Sequence, residues 1–143
     1  MFVDTILRKK GDTVIAVEPH CLISAAARIL HDNRIGAALV RNKAGKILGI
    51  LSERDIVSGL AGHGDACLTM TAEKLMTSPV VTCTPTDSID HIMELMTERR
   101  VRHLPVVDKG KLVGIVSIGD VVKQRISEIE NESEALRQYI AAG

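Results

Sequence analysis

The chain has 143 residues and 45% of them are hydrophobic, which is enough for one compact domain or two small units that share a core. Lysine plus arginine and aspartate plus glutamate number 18 each, so the balanced charge creates no net field that attracts nucleic acid or an anionic membrane. Only 1% of the residues are aromatic, Phe2 and Tyr139, which argues against a surface that stacks single-stranded bases.

The three cysteines, Cys21, Cys67 and Cys83, are odd in number and match no metal-binding spacing. They predict reduced thiols and therefore a cytoplasmic protein. The N-terminus has no apolar signal-peptide core, and no apolar run reaches the length that spans a bilayer. We therefore expect no metal site, no membrane contact and no nucleic-acid partner.

The first half of the chain predicts a short helix followed by alternating strands and helices. Residues 2–9 place Phe2, Ile6 and Leu7 on one side of a helix that Gly11-Asp12 ends, and we expect this helix to act as a lid or to cross to a partner. Apolar runs predict strands at 14–17, 37–41 and 46–51, and helical spacing predicts helices at 22–33 and from 52 to about 60, with a loop at 62–65.

The second half repeats this order, with a strand at 80–83, a helix at 88–99, a hairpin of strands 103–108 and 111–116, and a final helix opened by Ser117. Pro19 recurs at Pro85 and Gly49 at Gly114, so the offset is 66 residues (19 to 85) before the hairpin turn and 65 (49 to 114) after it. Two β-α-β-β-α repeats predict an α/β fold in which two half-domains bury each other's apolar faces. The boundaries we expect are an N-terminal helix at 1–13, repeats at 14–62 and 80–126, a linker at 63–79 and a helical extension at 127–143.

One heptapeptide occurs in both repeats: Gly49-Ile50-Leu51-Ser52-Glu53-Arg54-Asp55 and Gly114-Ile115-Val116-Ser117-Ile118-Gly119-Asp120. An apolar strand turns into a helix, with Ser at the N-cap and Asp at the third helical position. This places a hydroxyl, a carboxylate and free backbone N–H groups at one spot, which suits a ribose phosphate. The alternative is an ordinary capping box that only satisfies the helix end. Because the motif occurs a second time in register, the ligand-binding interpretation gains support, but the capping interpretation stays open.

These residues resemble a known family. The doubled Gly-x-x-Ser-x-x-Asp, the strand Arg102-His103-Leu104-Pro105-Val106-Val107-Asp108 and the lead-in Met76-Thr77 are similar to a tandem pair of CBS domains, the cystathionine-β-synthase-type regulatory module, here standing alone. The resemblance implies two half-domains related by a pseudo-two-fold axis, with two clefts that each hold an adenosine nucleotide. It also implies that two such pairs form a disc-like homodimer.

The resemblance also implies which residues form each site. Asp120 and Asp55 would hold the ribose hydroxyls, and Ser117 and Ser52 would lie near the phosphate. The other implied site residues are Thr77, Val80, Arg102, His103, Leu104 and Pro105, and, for the first repeat, Arg54, Val14, Ala37, Ala38 and Leu39. Main-chain groups on the strands would frame the base. Arg102-His103 stands where the first repeat has Gly36-Ala37, so we expect the second cleft to be the better equipped.

Two of the charged side chains have competing interpretations. Arg54 lies in the first helical turn against the positive end of the helix dipole, which is tolerable if an anion is nearby. It could instead pair with Asp55 or Glu53, or be solvated. His103 could touch a phosphate, or serve as a hydrogen-bonded structural residue at the strand start.

An apolar stripe continues past the end of the second repeat at helical spacing. It consists of Val121, Val122, Arg125, Ile126, Ile129, Ser133, Leu136, Tyr139 and Ile140. A helix this long cannot bury its stripe on so small a body. We expect it to pack on the same helix of a second copy, and the alternative is a frayed, solvated tail.

The function predicted from these features is a non-enzymatic regulatory module that binds AMP, ADP, ATP or NAD(H) and has no catalytic cofactor. It would act as a homodimer whose shape, or whose affinity for a regulated protein, changes with the ligand. One alternative is a structural dimerisation module with empty clefts. Another is a nucleotide hydrolase or transferase with Asp55 or Asp120 as base, which is the weaker because no second carboxylate, nucleophile or metal-ligand set recurs beside either residue.

Overall fold

A computed structural model of the chain describes residues 1–11 and 13–142. Its helices are α1 (Val3–Lys10), α2 (Ile23–Asn33), α3 (Glu53–His63), α4 (Ala72–Leu75), α5 (Ile89–Arg99) and α6 (Ile118–Ala142), and a 3₁₀ helix spans Gly64–Thr69. Its strands are β1 (Ala16–Val17), β2 (Ala37–Arg41), β3 (Ile47–Ser52), β4 (His103–Asp108) and β5 (Lys111–Ser117). The chain divides into two compact units, one of residues 13–81 and one that combines the N-terminal segment with the residues from 82 onward. We call them the first unit and the second unit.

The first unit is built on a three-stranded sheet in the order β1-β2-β3. Strand β1 pairs with β2 in parallel, with Val17 opposite Val40, and β2 pairs with β3 antiparallel. The central strand β2 reads as a continuous apolar run rather than an alternation because its first four residues are all buried. Helices α2 and α3 cover the sheet with Ile23, Leu30 and Ile56.

The predicted loop at 62–65 is wrong, because α3 continues to His63 and passes directly into the 3₁₀ helix. The reason is close packing at Gly59, where an added Cβ would lie 2.8 Å from the Sγ of Cys67 and 2.7 Å from a methyl group of Leu75. Cys67 and Ala72 are fully buried members of the core of the first unit. The segment 63–79, which we predicted as a linker, is therefore ordered by apolar contacts with α3.

The hairpin of the second unit joins β4 to β5 through Lys109 and Gly110, which have φ values of +51° and +78°. Both turn positions thus adopt the positive φ that a two-residue hairpin turn requires. The predicted strand at 80–83 is wrong, since only Cys83 pairs with the sheet, in a parallel bridge to Val106. This bridge matches the Val17 to Val40 pair 66 residues earlier (17 to 83, 40 to 106).

Proline explains why the second repeat lacks the longer strand. In the first unit the N–H of Leu39 donates to the carbonyl of Ile15 at 3.1 Å and extends the parallel ladder. The matching position in the second repeat is Pro105, which has no N–H to donate. Its carbonyl still accepts from the N–H of Cys83 at 3.0 Å, so one ladder position remains.

Helix α1 is docked within the second unit, where the N–H of Val3 donates to the carbonyl of Asp87 at 2.9 Å. Its buried residues are Val3 and Ile6, whereas Phe2, which we predicted on the apolar side, is 53% exposed. Gly11 caps the helix with φ +91°, and Asp12, the other predicted breaker, lies outside the described residues. Helix α1 thus packs within the second unit, and its role as a lid or as a helix that crosses to a partner stays a prediction.

Helix α6 has 25 residues and includes the predicted extension. From Ile129 to its end every residue is exposed. Among the described residues, no helix combines the length and the apolar character needed to cross a membrane. The cysteines are free thiols, with Cys67 and Cys83 buried and Cys21 partly exposed.

We predict unequal effects of alanine at the two motif glycines. A Cβ at Gly49 would lie 2.9 Å from the carbonyl oxygen of Thr77, which is fixed because it accepts from the N–H of Ile50 at 3.1 Å. A Cβ at Gly114 would meet only a methyl group of Leu7, at 2.6 Å, at the movable end of a side chain. Gly49→Ala should lower the free energy of unfolding by about 1–3 kcal/mol, and Gly114→Ala by less. Urea denaturation of both variants measures this, and an equal or reversed order would contradict the packing argument.

Candidate functional site

Both copies of the heptapeptide form complete capping boxes at a strand-to-helix junction. In the first, the N–H of Ser52 donates to Oδ2 of Asp55 at 2.9 Å, and the N–H of Asp55 donates to Oγ of Ser52 at 3.3 Å. In the second, Ser117 and Asp120 make the same two bonds at 2.9 and 3.1 Å. The capping interpretation is therefore correct at both motifs, and any ligand role is additional to it.

A backbone carbonyl from the neighbouring strand entry completes each junction. The N–H of Glu53 donates to the carbonyl of Gly36 at 2.9 Å, and that of Ile118 donates to the carbonyl of Arg102 at 2.8 Å. Two of the first three helical N–H groups are thus already bonded at each motif. The predicted set of free N–H groups is too large, so a bound anion would depend mainly on side chains.

The two motif carboxylates differ in their remaining contacts. Oδ1 of Asp55 accepts from the hydroxyl of Thr77 at 3.1 Å, which places Thr77 at the first motif. Oδ2 of Asp120 forms an ion pair with Nζ of Lys10 at 2.7 Å, and Lys10 also donates to the carbonyl of Ile115 at 3.0 Å. Sequence reasoning missed Lys10 because it lies 110 residues from Asp120 and no local pattern connects them.

Three lysines line the same groove as Asp120. A groove of about 290 Å³ between α1 and α6 is lined by Ile6, Lys9, Lys10, Asp120, Lys123, Gln124 and Ser127. Nζ of Lys9 donates to the side-chain carbonyl of Gln124 at 3.2 Å, so a neutral group holds this ammonium in place. Three ammonium groups against one carboxylate leave a local excess of positive charge that suits an anion.

The structure distributes the other predicted site residues between the units. Val14, Ala37, Ala38 and Leu39 lie at the strand entries of the first unit, with Ser52 and Asp55. Val80 also belongs to the first unit, whereas His103, Leu104 and Pro105 open β4 of the second unit. Arg102 is exposed and precedes β4, so it lies at the strand entry rather than on the strand.

Arg54 is exposed, and the ion pairs found along the described chain do not include it. The alternative in which Arg54 pairs with Asp55 or Glu53 is therefore absent there, and the exposed side chain is compatible with both remaining alternatives, a nearby anion and solvation. A search of residues 1–11 and 13–142 finds no group of three or more His, Cys, Asp or Glu side chains that could hold a metal ion.

Ion pairing sets the acidity of Asp120. Partial burial raises the pKa of its carboxyl group, but hydrogen bonds from Lys10 and Ser117 and the charge of Lys10 together lower it further, so the net pKa is below the ordinary value of 3.8. A group whose pKa is lower in the folded state stabilises the fold at pH values above its unfolded pKa. That stabilisation is lost as the pH falls through the folded pKa.

We predict that Lys10→Met raises the pKa of Asp120, because two of the lowering interactions come from Lys10. The variant should be less stable than the parent near neutral pH, and the difference should fade only as the pH falls below 3.8 and through the lowered pKa of Asp120 in the folded parent, where the carboxylate that pairs with Lys10 becomes protonated. Carboxyl-carbon NMR titration measures the pKa, and denaturation at several pH values measures the stability. Lys123→Met is the matched control, since Lys123 lines the same groove without a bond to Asp120. An unchanged Asp120 pKa in Lys10→Met would contradict the ion-pair account.

Comparison with known proteins agrees with this architecture. The sequence model of the CBS domain matches residues 7–62 and again 72–127. A solved CBS-domain-containing protein from Agrobacterium tumefaciens is 46% identical, covers 87% of this chain and 92% of its own, and superposes with a TM-score of 0.85. The chain spans 59% of the length of one curated CBS-domain relative and 82% of another.

Two more distant relatives were solved with adenosine compounds. A CBS domain protein from Pyrobaculum aerophilum, complexed with AMP, is 29% identical with a TM-score of 0.73 and covers 84% of this chain and 89% of its own. The CBS domain pair of the protein MJ0100, in complex with 5′-methylthioadenosine and S-adenosyl-L-methionine, is 28% identical with a TM-score of 0.79 and covers 90% and 98%. With two matched repeats that together cover most of its length, this chain belongs to the CBS domain family.

Proposed function

We propose that the protein is a non-enzymatic regulatory module that binds an adenosine nucleotide at its Ser-x-x-Asp motifs. The observation that carries the proposal is that each motif carboxylate retains an oxygen outside the capping box. Oδ1 of Asp55 takes only a hydroxyl, from Thr77, which a ribose hydroxyl can replace. Oδ1 of Asp120 accepts no hydrogen bond within the described part of the chain.

Each motif residue has a proposed role. Asp55 and Asp120 accept from the ribose hydroxyls, and the hydroxyls of Ser52 and Ser117 lie toward the phosphate. The main-chain groups proposed to frame the base are those of Val14, Ala37, Ala38 and Leu39 at one motif, and of His103, Leu104 and Pro105 at the other. Arg54, Arg102 and Lys10 are the cations proposed to face the phosphates.

The relatives solved with AMP and with S-adenosylmethionine derivatives support the adenosine class of ligand. AMP, ADP, ATP and NAD(H) all share the ribose hydroxyls and the anionic group that the motif suits. Such a ligand regulates by stabilising the conformation or assembly that it binds better, and only by the difference between its two affinities. The molecule regulated would be a protein whose affinity for this module follows that change.

A second candidate function is structural dimerisation without a ligand. The capping boxes favour it, because both motifs are fully explained by helix stability in the absence of any bound molecule. An enzymatic role has less support, since the contacts described for Asp55 and Asp120 include no second carboxylate, and the described residues hold no metal-binding group beside either of them.

We predict that AMP binds with micromolar-scale affinity. At about 100 times the dissociation constant it should stabilise the fold by about 2.7 kcal/mol, which a melting scan detects.

Asp120→Asn should weaken binding roughly tenfold to a hundredfold at its motif, because a hydrogen bond to a charged group contributes about 1.5–3 kcal/mol. Asp55→Asn should act in the same way at the other motif. Isothermal titration calorimetry of each variant measures the loss.

Asp65→Asn is the control for the loss of one carboxylate, since Asp65 is exposed on the 3₁₀ helix outside both motifs. It should bind AMP like the parent. If the two motif variants lose melting temperature but keep their AMP affinity, the motifs act only as caps. If no adenosine compound gives binding heat or thermal stabilisation, structural dimerisation is the candidate function that remains.

We further propose that the module is a homodimer and that the end of α6 contributes to it. Deleting residues 129–143 removes exposed apolar side chains, including Leu136 and Ile140, and leaves the buried Glu128 in place. The dimer should therefore dissociate at a higher protein concentration than the parent, with or without AMP. Sedimentation velocity over a concentration series measures this. An unchanged dimer at low micromolar concentration would exclude a role for the tail.

A further inference from the structure

The projecting end of α6 is a helix without support from its own unit. Residues 129–142 are all exposed, and at about 1.5 Å per residue they extend for roughly 20 Å. An isolated helix of this length is marginal in water, and most helices in proteins are stabilised by packing of an apolar face. The described part of the chain does not pack against residues 129–142, so we expect another molecule to supply the surface that stabilises this end of α6.

The exposed apolar residues of α6 follow the heptad spacing of a coiled coil. Five of them, together with Ser133, occupy positions 122, 126, 129, 133, 136 and 140, where the steps alternate between four and three residues, and the other two, Ile118 and Tyr139, lie at flanking g positions. Val122, Ile129 and Leu136 take the d positions, and Ile126, Ser133 and Ile140 take the a positions. The five apolar members are 44–67% exposed, so the whole seam is accessible. A seam of two positions in seven fits another helix of the same kind rather than a broad core.

The charges that flank this seam identify its partner. Arg125 and Glu132 occupy g positions, and Glu130 and Arg137 occupy the e positions five residues after them. Residues five apart do not face each other on one helix, where neighbours are three or four apart. In a parallel, in-register pair, g of one helix meets the following e of the other. Glu132 would then face Arg137 of a second copy. Arg125 would face Glu130 of that copy in addition to its ion pairs with Glu128 at 3.1 Å and Asp90 at 3.8 Å on its own chain.

The antiparallel arrangement fits these charges badly. If the two seams overlap completely in opposite directions, Glu130 meets Glu130 of the second copy and Glu132 meets its own equivalent. Arg137 then meets Lys123. All three of the flanking pairs in which both residues are charged have like charges, which disfavours this alignment. The parallel arrangement, by contrast, has opposite charges at both of its flanking pairs.

We propose that α6 forms a two-stranded, parallel, in-register coiled coil with α6 of a second copy of this chain. The inference rests on the proposed homodimer and specifies its alignment. Ser133 faces Ser133 of the second copy in the middle of the seam, where a polar a residue fixes the register of a coiled coil. The layers on either side are formed by Ile129 and Leu136, and the two flanking charge pairs set the direction of the helices.

Cysteine crosslinking tests the register. In a Cys21→Ser background, which removes the native thiol that is not buried, Ser133→Cys should form a disulfide between subunits under mild oxidation. Glu134→Cys, one residue away on the outer surface, is the control and should crosslink far less. An antiparallel dimer places residue 133 opposite residue 129, so a mixture of Ser133→Cys and Ile129→Cys proteins would crosslink instead. That result would overturn the proposal.

A charge exchange tests the partner residues. Glu132→Lys should raise the dimer dissociation constant about tenfold, since each dimer then contains two repelling pairs in place of two attracting ones. Glu132→Lys combined with Arg137→Glu restores opposite charges and should recover most of the loss. Glu134→Lys makes the same charge change on the outer surface and should have little effect.

The outcomes separate this proposal from the homodimer on which it rests. A stable dimer that shows neither the Ser133→Cys crosslink nor charge rescue would overturn the coiled coil and leave the homodimer intact. A parent protein that remains monomeric at every concentration would overturn both. Crosslinking together with charge rescue supports the parallel alignment, whether or not an adenosine nucleotide binds.

Discussion

The strand-to-helix junction is the constraint on which both units depend. Each junction closes with a reciprocal Ser to Asp capping box and with one carbonyl from the adjacent strand entry, that of Gly36 or Arg102. These bonds satisfy the helix N-terminus and fix the direction in which α3 and α6 leave the sheet. Because the carboxylate of the box keeps an oxygen available, the same junction can present a hydrogen-bond acceptor to a ligand.

Close approach of a segment from outside the repeat is the second requirement at each junction. Met76 and Thr77 lie over Gly49 in the first unit, and Leu7 lies over Gly114 in the second. Neither approach leaves room for a Cβ, which explains why the heptapeptide begins with glycine in both copies. The segments that precede the repeats also deliver the last contact to each motif carboxylate, namely Thr77 and Lys10. The N-terminal helix is thereby part of the second motif's surroundings.

Much of the fold could be predicted because the repeat is local and periodic. Its offset of 66 residues holds even for the helix C-caps, where Arg34 and Arg100 both have φ of 54°. The shortened strand could not be read from apolar pattern alone, because the missing N–H belongs to Pro105 on the partner strand. The ordered segment 63–79 escaped prediction because Cys67 and Ala72 are stabilised by tertiary packing, not by helical spacing.

Of the candidate site, the motif pairs were predictable because capping is a short-range interaction between two residues that are three positions apart in the sequence. Lys10 was not, since only the folded chain brings α1 to Asp120. The resulting ion pair makes the two halves of the repeat unequal in their response to ionic strength. At Asp55 the oxygen outside the capping box is bonded to a neutral hydroxyl, whereas the carboxylate of Asp120 is paired with an ammonium group whose attraction dissolved salt screens. If nucleotides bind as proposed, the two near-identical motifs would therefore bind the same ligand in different electrostatic surroundings. Only the surroundings of Asp120 would change with the salt concentration of the solution.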